Sequence, residues 1–365
     1  MHEKYMKIAI EEAKKGEGFT SPNPLVGAVI VKDDKIIGIG YHQKYGENHA
    51  EINAFLDAEK IGESAENADI YVTLEPCSHY GKTPPCADAI INKKIKRVII
   101  GCVDSNPKVA GGGIKKLKDA GIEVIVNVLE EECRKLNEVF FYYIEHKRPF
   151  IIMKYAMTMD GKIAVVSGKS KWITNEKSRE HSHRFRNKYS AIMVGINTVI
   201  KDDPTLNCRL PNTRNPLRII LDSNLKIDLE SNICKTANDI KTFIVTLSDD
   251  DKKRKELENL GIEIIKTEND NGKVSLKDLM RILGEEKNID SVYVEGGANL
   301  HASLLKEKLA NKALIYIAPK IFGGENAKTP IGGEGIKEPD NAVKLVEGSI
   351  TKIEDDLFLE YYLKY

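Results

Sequence analysis

The chain has 365 residues, of which 30% are charged and 41% hydrophobic, and its 55 basic residues balance its 55 acidic ones. This length predicts two domains, and the zero net charge argues against a broadly basic coat for nucleic acid and against an acidic tail. No apolar run approaches the ~18 residues of a membrane-spanning helix. The N-terminal segment is typical of an amphipathic helix and not of a signal peptide. Because the six cysteines are too sparse for a disulfide framework, we expect a reducing, cytoplasmic compartment.

The first half of the chain alternates strand and helix patterns. Strands are predicted at residues 26–31, 36–41, 69–74, 97–103 and 122–128, and helices at 4–15, 49–60, 84–94, 113–120 and 129–145. The first two strands are separated by a short charged turn and form a predicted hairpin. Alternation of strands with crossover helices predicts an α/β domain whose later strands are parallel.

The pattern restarts at Arg148 and Pro149, because Pro149 cannot continue the preceding helix. We therefore place the domains at residues 1–147 and 148–365. In the second domain, strands are predicted at 150–157, 190–195, 217–222, 242–247, 262–266, 290–295, 312–318 and 355–363, and helices at 175–188, 250–260, 275–285 and 297–309. The standard dinucleotide fingerprint GxGxxG is absent from the sequence.

Arginine is concentrated in one stretch. Only eleven of the 55 basic residues are arginine, and six of these fall between Arg179 and Arg218. The guanidinium is a planar fork of donors suited to carboxylate and phosphate. An arginine-rich, solvated helix face is the alternative that composition leaves open.

Three residues in the first domain are spaced as ligands of a catalytic zinc ion. His49 opens the predicted helix 49–60, Cys77 follows the strand 69–74, and Cys86 lies at the start of the next helix. One histidine and two cysteines fill three positions of a tetrahedral Zn²⁺ and leave the fourth for water. Glu51 is the expected proton shuttle, and H-x-E with P-C-x-x-C is the signature of zinc deaminases.

The cysteine spacing departs from that signature, because eight residues separate Cys77 from Cys86 in place of two. The longer loop costs little closure entropy, and it brings polar side chains such as His79 and Lys82 beside the predicted metal. The alternative is that the two cysteines are simply buried apolar residues. The joint occurrence of both motifs favours the zinc site.

The motifs resemble those of one known family. The string T-L-E-P-C-x-H-x-G-x-T-P-P-C at residues 73–86, with P-N-P-L-V-G-A-V-I at 22–30, is similar to the deaminase half of the bifunctional riboflavin-biosynthesis deaminase–reductases. K-Y-A-M-T-M-D-G-K at residues 154–162, S-K-W-I-T at 170–174 and V-E-G-G at 294–297 resemble the reductase half. The resemblance covers essentially the whole chain.

This resemblance implies an α/β protein with an N-terminal cytidine-deaminase-like α/β/α layer domain and a C-terminal dihydrofolate-reductase-like α/β domain. It implies zinc-dependent removal of an exocyclic amine from a phosphoribosylamino-pyrimidine, followed by NADPH-dependent reduction of the ribosyl group to ribityl. The implied cofactors are one Zn²⁺ per chain and NADPH. The implied partners are a small-molecule substrate and further copies of the chain in a dimer or tetramer, with no nucleic acid and no membrane.

The resemblance also implies roles for residues of the deaminase. Asn23, His42, His79 and Lys82 are expected to hold the pyrimidine and its phosphoribosyl tail. An asparagine side chain offers both a donor and an acceptor to a ring amide. From the residues alone, Asn23 is equally interpretable as a turn residue between prolines, and His42 as a structural histidine at a strand end.

In the reductase, the resemblance implies NADPH contacts by eight residues, which are Lys154, Ala156, Trp172, Thr198, Asp202, Ser223, Gly296 and Gly297. The helix after the glycines presents free N–H groups that suit a pyrophosphate. The implied substrate residues are Ser170, Arg186, Leu206, Arg209 and Glu295. Arg186 and Arg209 are expected to grip the substrate phosphate. For Arg179 and Arg184 two alternatives stay open, a contact with the cofactor phosphate or exposure to solvent. The alternative for Trp172 is a buried core position.

Two other functions are open on the residues alone. One is a nucleic-acid-base deaminase of the tRNA-editing type with an unrelated second domain, against which the neutral charge and the long cysteine loop argue. The other is a non-catalytic, zinc-stabilised binding protein. The second alternative predicts that the substitution Glu51→Gln leaves every activity untouched.

Overall fold

The computed structural model describes residues 1–80, 84–105 and 111–365. These residues divide into two compact units, Met1–Lys147 and Arg148–Tyr365. Among the described residues, none of the helices combines the length and the apolar character that crossing a membrane requires.

The first unit contains one five-stranded sheet with helices on both faces. Its strands are β1 (Gly27–Lys32), β2 (Lys35–Tyr41), β3 (Asp69–Leu74), β4 (Arg97–Cys102) and β5 (Glu123–Ile125). Its helices are α1 (His2–Lys14), α2 (Ala50–Lys60), α3 (Cys86–Asn92), α4 (Gly112–Asp119), α5 (Glu130–Leu136) and α6 (Glu138–His146). The spatial order is β2-β1-β3-β4-β5, with β3, β4 and β5 parallel and the β1–β2 hairpin antiparallel. The predicted hairpin and the predicted parallel strands are confirmed.

Alternation along β1 divides the core of this unit into two layers. Ala28 and Ile30 join the cluster under α2, α3 and α4, whereas Val29 and Val31 join the cluster under α1, α5 and α6. Successive side chains of a strand point to opposite faces, so a strand buried on both faces is apolar throughout. The result is an α/β/α layering, which is the arrangement that the family resemblance implies.

Helix α2 lies directly against β2, and glycine makes this approach possible. A Cβ atom on Gly40 would stand 2.3 Å from the backbone nitrogen of Ala54, and one on Gly38 would stand 2.3 Å from the Ala54 carbonyl oxygen. Only glycine accommodates backbone at this separation. The close packing fixes the N-terminal turn of α2, which carries Glu51, at the end of the sheet.

The second unit contains a nine-stranded sheet and a short two-stranded ribbon. The large sheet is built from β6 (Phe150–Thr158), β7 (Ala191–Gly195), β8 (Leu217–Leu221), β9 (Thr242–Thr246), β10 (Ile262–Lys266), β13 (Ser291–Val294), β14 (Lys312–Ala318), β15 (Lys344–Ile353) and β16 (Asp356–Lys364), and the ribbon from β11 (Asn269–Asp270) and β12 (Lys273–Val274). The helices are α7 (Glu176–Lys188), α8 (Ile196–Asp202), α9 (Asn232–Lys235), α10 (Asp251–Asn259), α11 (Leu276–Arg281) and α12 (Ala298–Lys306).

The strand order of the large sheet is β10-β9-β8-β7-β13-β6-β14-β16-β15. The first seven strands in this order are parallel, and β16 and β15 are antiparallel additions at one edge. Parallel strands end at the same edge of a sheet, where α/β proteins bind their ligands. In this unit that edge lies beyond Thr158, Gly195, Leu221 and Val294.

The structure differs from the predicted elements at several places. The predicted helix 129–145 is two helices, because Asn137 interrupts it, and the predicted helix 275–285 runs as α11 into a π-helical turn, Ile282–Glu286. The short helices α8 and α9 were not predicted. Strand β15 was not predicted either, because most of its residues are exposed and its sequence lacks a buried periodic face.

Candidate active sites

The side chains of His49, Cys77 and Cys86 converge in the first unit. Within the described residues they form the one group suited to hold a metal ion, and their donor atoms lie within 4.8 Å of one another. His49 Nδ1 is 3.2 Å from Cys86 Sγ and 3.6 Å from Cys77 Sγ. Tetrahedral zinc, at about 2.0–2.1 Å from nitrogen and about 2.3 Å from sulfur, sets these ligands about 3.6 Å apart. The residues present therefore fit a zinc ion.

Local structure explains why these three donors meet. His49 is the N-cap residue of α2, and Cys86 is the first residue of α3, so both stand at helix N-termini. Cys77 follows β3, and its sulfur accepts a hydrogen bond of 3.2 Å from the backbone N–H of Cys86. Helix N-termini carry positive potential and free N–H groups, which favour thiolates.

The two cysteines titrate as a pair. Hydrogen bonding with the Cys86 side chain lowers the pKa of Cys77 to about 4, whereas the same contact raises the pKa of Cys86 well above its usual value. The contact between the two sulfur atoms therefore favours a thiolate at Cys77. Since zinc binds thiolates, a bound metal would hold both cysteines deprotonated. The hydrogen bond with Cys77 also raises the pKa of His49.

Glu51 lies in the first turn of α2 with only 3% of its surface exposed. Burial raises the pKa of its carboxyl, and the negative charge of Cys77 raises it further. A buried carboxyl group whose pKa is raised by its surroundings is suited to general acid–base catalysis. The structure thus places the predicted proton shuttle beside the predicted metal ligands.

His42 and Asn23 form a hydrogen-bonded chain beside this cluster. His42 Nδ1 lies 3.0 Å from the carbonyl oxygen of Asn48, and its Nε2 lies 3.2 Å from Asn23 Nδ2. A carbonyl can only accept, so Nδ1 donates and Nε2 accepts from the asparagine amide. Burial lowers the pKa of His42, which fits this neutral form. The ring packs edge-on against His49 at 5.3 Å between centroids.

The remaining predicted deaminase residues are placed as follows. Asn23 donates its backbone N–H to Thr20 at 2.8 Å, so it is also the turn residue of the alternative interpretation. His42 is buried with 2% of its surface exposed, and His79 is exposed. Lys82 lies outside the described residues.

Two residues that sequence reasoning missed stabilise the backbone around the site through hydrogen bonds. The buried carboxylate of Glu75 accepts hydrogen bonds of 3.0–3.1 Å from the backbone N–H groups of Gly111, Gly113 and Ile114, and so ties the strand end before Cys77 to the N-terminus of α4. Asn137 accepts from the N–H of Leu25 at 2.8 Å and donates to its carbonyl at 2.9 Å. For Glu75 the sequence offered one signal, an acidic residue placed between a buried strand and the predicted ligand Cys77.

In the second unit, the predicted cofactor residues collect at the carboxyl edge of four neighbouring strands. Lys154 and Ala156 lie in β6, Thr198 and Asp202 lie in α8 after β7, Ser223 follows β8, and Gly296 and Gly297 follow β13. Gly297 is the N-cap residue of α12, and a Cβ atom at Gly195 or Gly297 would meet no atom within 4 Å. The edge therefore has open space beside a helix N-terminus, which suits an anionic ligand.

A partly buried ion-pair network lies at this edge. Arg186 donates to both carboxylate oxygens of Glu295, at 2.7 and 3.0 Å, and to the carbonyl oxygen of Asn207 at 2.8 Å. Lys154 Nζ is 3.6 Å from the same carboxylate. Burial alone favours the neutral carboxyl, but Arg186 and Lys154 outweigh it and hold the pKa of Glu295 well below its usual range.

This pairing changes the expected role of Arg186. The sequence predicted Arg186 and Arg209 as equivalent clamps for a phosphate, but the structure gives Arg186 a carboxylate partner that was not predicted. The guanidinium of Arg209 is exposed and makes no hydrogen bond or ion pair with any described residue. The positive charges of Arg186 and Arg209, together with burial, lower the pKa of the neighbouring His183 to about 4, and burial is the larger cause. A free guanidinium in a positive field favours an anionic ligand at Arg209.

The arginine-rich stretch is not a single site. Arg218 is completely buried and donates to Thr242, Thr236 and three backbone carbonyls, and Arg214 donates to the carbonyl of Tyr189. Burial lowers the pKa of Arg218 to about 10. Arg184 is exposed. The concentration of arginine therefore has separate structural and ligand-facing causes.

Four other predicted residues have distinct surroundings. Ser170 is half-buried, and Leu206 is buried in the left-handed region with φ of 53°. Ser223 accepts a hydrogen bond through Oγ from the N–H of Val274 at 3.2 Å. Trp172 is 61% exposed, so the alternative of a buried core tryptophan is wrong.

Comparison with known families gives matches to both units. Residues 1–102 match the model of the cytidine and deoxycytidylate deaminase zinc-binding region, and residues 149–359 match that of the RibD C-terminal domain. The riboflavin biosynthesis protein RibD of Actinobacillus pleuropneumoniae is 50% identical over 357 residues, which cover 98% of this chain and 94% of that protein. The protein of the same name from Aquifex aeolicus is 44% identical over 356 residues, covering 97% and 96%.

Solved structures give the same result. Acinetobacter baumannii RibD, form 1, superimposes with a TM-score of 0.89 at 36% identity, covering 100% of this chain and 99% of that one. A diaminohydroxyphosphoribosylaminopyrimidine deaminase/5-amino-6-(5-phosphoribosylamino)uracil reductase from Thermotoga maritima gives 0.86 at 40% identity with the same coverage. The predicted fold class, a cytidine-deaminase-like domain followed by a dihydrofolate-reductase-like domain, is confirmed. A match along the whole chain is incompatible with an unrelated second domain.

Proposed function

The chain belongs to the RibD family of bifunctional deaminase–reductases of riboflavin biosynthesis, and from this membership we propose its substrate, its cofactors and the residues of each site. We propose that residues 1–147 deaminate 2,5-diamino-6-(5-phosphoribosylamino)pyrimidin-4(3H)-one with one Zn²⁺. Residues 148–365 then reduce the ribosyl group of the product to ribityl with NADPH. The observation that carries the proposal is the set of donors on His49, Cys77 and Cys86, at zinc spacing beside a buried glutamate.

In the deaminase, His49, Cys77 and Cys86 hold the metal. A zinc ion held by these residues would lower the pKa of a water and so would supply the nucleophile for the ring carbon that bears the amine. Glu51 accepts a proton from the attacking water and delivers it to the departing amine, so that ammonia leaves and a carbonyl remains after tautomerisation. Its buried position in the first turn of α2, beside the metal donors, supports this role.

Asn23 orients the pyrimidine in this proposal. Its amide nitrogen is occupied by His42 Nε2, which leaves the side-chain oxygen to accept from a ring N–H of the substrate. The buried His42 fixes the orientation of that amide through its own bond to Asn48. His79 and Lys82 are proposed to bind the phosphoribosyl tail.

In the reductase, bound NADPH would supply the hydride needed to reduce C1′ of the ring-opened sugar. Lys154, Ala156, Trp172, Thr198, Asp202, Ser223 and the N-terminus of α12 after Gly296 and Gly297 are proposed to bind this cofactor. Glu295, fixed by Arg186 and Lys154, presents a rigid carboxylate to the hydroxyl groups of the substrate. Arg209 binds the substrate phosphate, and Ser170 and Leu206 line the same pocket.

We also propose that the chain forms a homo-oligomer, a dimer or a tetramer, and acts in the cytoplasm. Strand β15 is an exposed edge of the large sheet, and Leu345 and Ile350 on it are 44% and 63% exposed. Unpaired edges with apolar side chains invite pairing with another chain. All six cysteines are free thiols, which fits a reducing compartment.

Replacement of Cys77 by alanine tests the zinc site. We expect the zinc affinity to fall by more than about 100-fold, because a ligand is lost outright. Deamination should disappear with the metal, whereas NADPH-dependent reduction of the deaminated substrate should persist. Metal content by mass spectrometry and the two separate assays measure these effects.

The matched control is Cys102→Ala. Cys102 is a buried cysteine of the same unit whose thiol donates only to the carbonyl of Thr73 at 3.4 Å. We expect this variant to keep one zinc ion per chain. Full zinc content in the Cys77→Ala variant would contradict the proposed ligand set.

A further inference from the structure

The only tryptophan of the chain lies outside the hydrophobic core. Trp172 is 61% exposed, although an indole is among the side chains that gain most from burial. It lies in the segment between β6 and α7, next to the predicted substrate residue Ser170. A large aromatic side chain kept at the surface is available to a ligand.

The indole is nevertheless held in one position from the side of α7. The guanidinium carbon of Arg179 lies 4.4 Å from the ring centroid of Trp172, within the range of a cation–π contact. The same guanidinium donates through Nη1 to the carbonyl oxygen of Thr174 at 2.7 Å. Arg179 therefore covers one face of the indole and anchors the segment that carries it.

A second cation fixes the backbone of this segment. Lys320 Nζ donates to the carbonyl oxygens of Trp172 and Ile173, at 3.2 and 2.7 Å. Lys320 itself follows β14, and its carbonyl accepts from the N–H of Met159 at 2.9 Å. Because Met159 directly follows β6, the indole is tied to the ends of two neighbouring parallel strands.

This places the tryptophan at the edge of the sheet that carries the candidate reductase site. Strands β6 and β14 end at the same edge as β7 and β13, where Gly195 and Gly297 leave open space. Large apolar side chains of the same tied segments are also exposed there, with Met159 at 56% and Ile321 at 79%. An apolar rim with one fixed aromatic face is suited to a flat, weakly hydrated ring.

We infer that Arg179 and Lys320 are positioning residues that hold Trp172 as a platform, and that a planar heteroaromatic ring of the nicotinamide dinucleotide stacks on its uncovered face. This inference rests on the proposed reductase function and assigns roles to two residues that the sequence left without one. A guanidinium held over one face of the indole restrains its orientation before the ligand arrives, so less side-chain freedom is lost on binding.

The substitution Arg179→Gln tests the inference directly. We expect the KM for NADPH to rise by about five- to tenfold while kcat stays within about twofold, because ring stacking contributes to binding and not to hydride transfer. Arg179→Lys keeps the charge but loses the planar guanidinium, so its KM for NADPH should lie between those of the wild type and Arg179→Gln. Arg184→Gln is the matched control, since Arg184 is an exposed arginine of the same helix. It should leave the KM unchanged.

Fluorescence supplies a readout that a merely structural role would not move. Because Trp172 is the only tryptophan, its emission reports on this position alone. NADPH should quench this emission in the wild-type protein. Two fragments of the cofactor are then tested separately: 2′-phospho-ADP-ribose, which carries the adenine, and reduced nicotinamide mononucleotide. The fragment that reproduces the quenching identifies the stacked ring. In Arg179→Gln and Lys320→Met, acrylamide should quench the free protein more strongly than in the wild type.

Three results would overturn the inference. The first is an unchanged KM for NADPH in Arg179→Gln, and the second is acrylamide quenching identical to the wild type in both variants. The third is tryptophan emission that neither half of the cofactor changes but that varies with protein concentration, which would indicate a contact between chains. Failure of the proposed function is distinguishable, because in that case the wild-type protein itself shows no NADPH-dependent reduction.

Discussion

Glu51→Gln is expected to lower the kcat of deamination by about 10³-fold while leaving the zinc content at one ion per chain. Glutamine keeps the size of the side chain but cannot accept the proton of water or return it to the amine, and general acid–base catalysis contributes about 10²–10⁴-fold. Because Glu51 is buried beside the metal donors, we expect that water from the solvent does not replace its carboxylate as the base. Release of ammonia in single-turnover and steady-state assays measures the effect.

The second unit supplies an internal reference for this variant. NADPH-dependent reduction of the deaminated substrate should proceed at the wild-type rate, which shows that the second unit is intact, while the retained zinc shows that the first unit is folded. Glu59→Gln is the matched control, because Glu59 is an exposed glutamate of the same helix whose partner is Lys93. Wild-type deamination by the Glu51→Gln variant would refute the assigned role and would favour a non-catalytic zinc protein.

Arg209→Gln is expected to lower kcat/KM of the reductase by about 10–100-fold, chiefly through the KM for the phosphorylated substrate. A charge-assisted hydrogen bond to phosphate is worth about 1.5–3 kcal/mol. The guanidinium of Arg209 is exposed and lies outside the ion-pair network, while Arg186 is bound by Glu295 and Asn207. Initial rates against substrate concentration at saturating NADPH give the two parameters.

The dephosphorylated substrate is the control for this prediction. Wild-type protein and the Arg209→Gln variant should reduce it equally poorly, because the interaction in question is then absent from both. A variant that loses the same factor on both substrates would show that Arg209 does not recognise the phosphate. Arg184→Gln should match the wild type on both substrates.

Much of the candidate deaminase site could be predicted from the sequence because its chemistry depends on local placement. His49 and Cys86 stand at helix N-termini and Cys77 just beyond a strand, and all three positions follow from periodicity and capping. Glu75 and Asn137 could not be predicted in the same way. Their partners are backbone groups 36–39 and 112 residues distant, and only the folded chain brings these together.

The reductase site shows where composition misleads. Six arginines in forty residues suggest one phosphate site, but burial separates them, because Arg218 satisfies core carbonyls and Arg186 a carboxylate. Such pairing depends on the order of the strands, in which β13 and β7 are neighbours although about 100 residues separate them along the chain. Strand β15 was missed for a different reason, since an exposed edge strand has no buried face to give it a period.

The central claim is that one chain carries two reactions in two units. The most direct measurement is the mass of the product formed from the diaminopyrimidinone phosphoribosyl substrate, with and without NADPH. We predict that the protein alone replaces one amino group by an oxygen function, a gain of about one mass unit, and that NADPH adds two further hydrogen atoms, a gain of about two more. An unchanged substrate mass, or a deaminated product that NADPH leaves unaltered, would contradict the account.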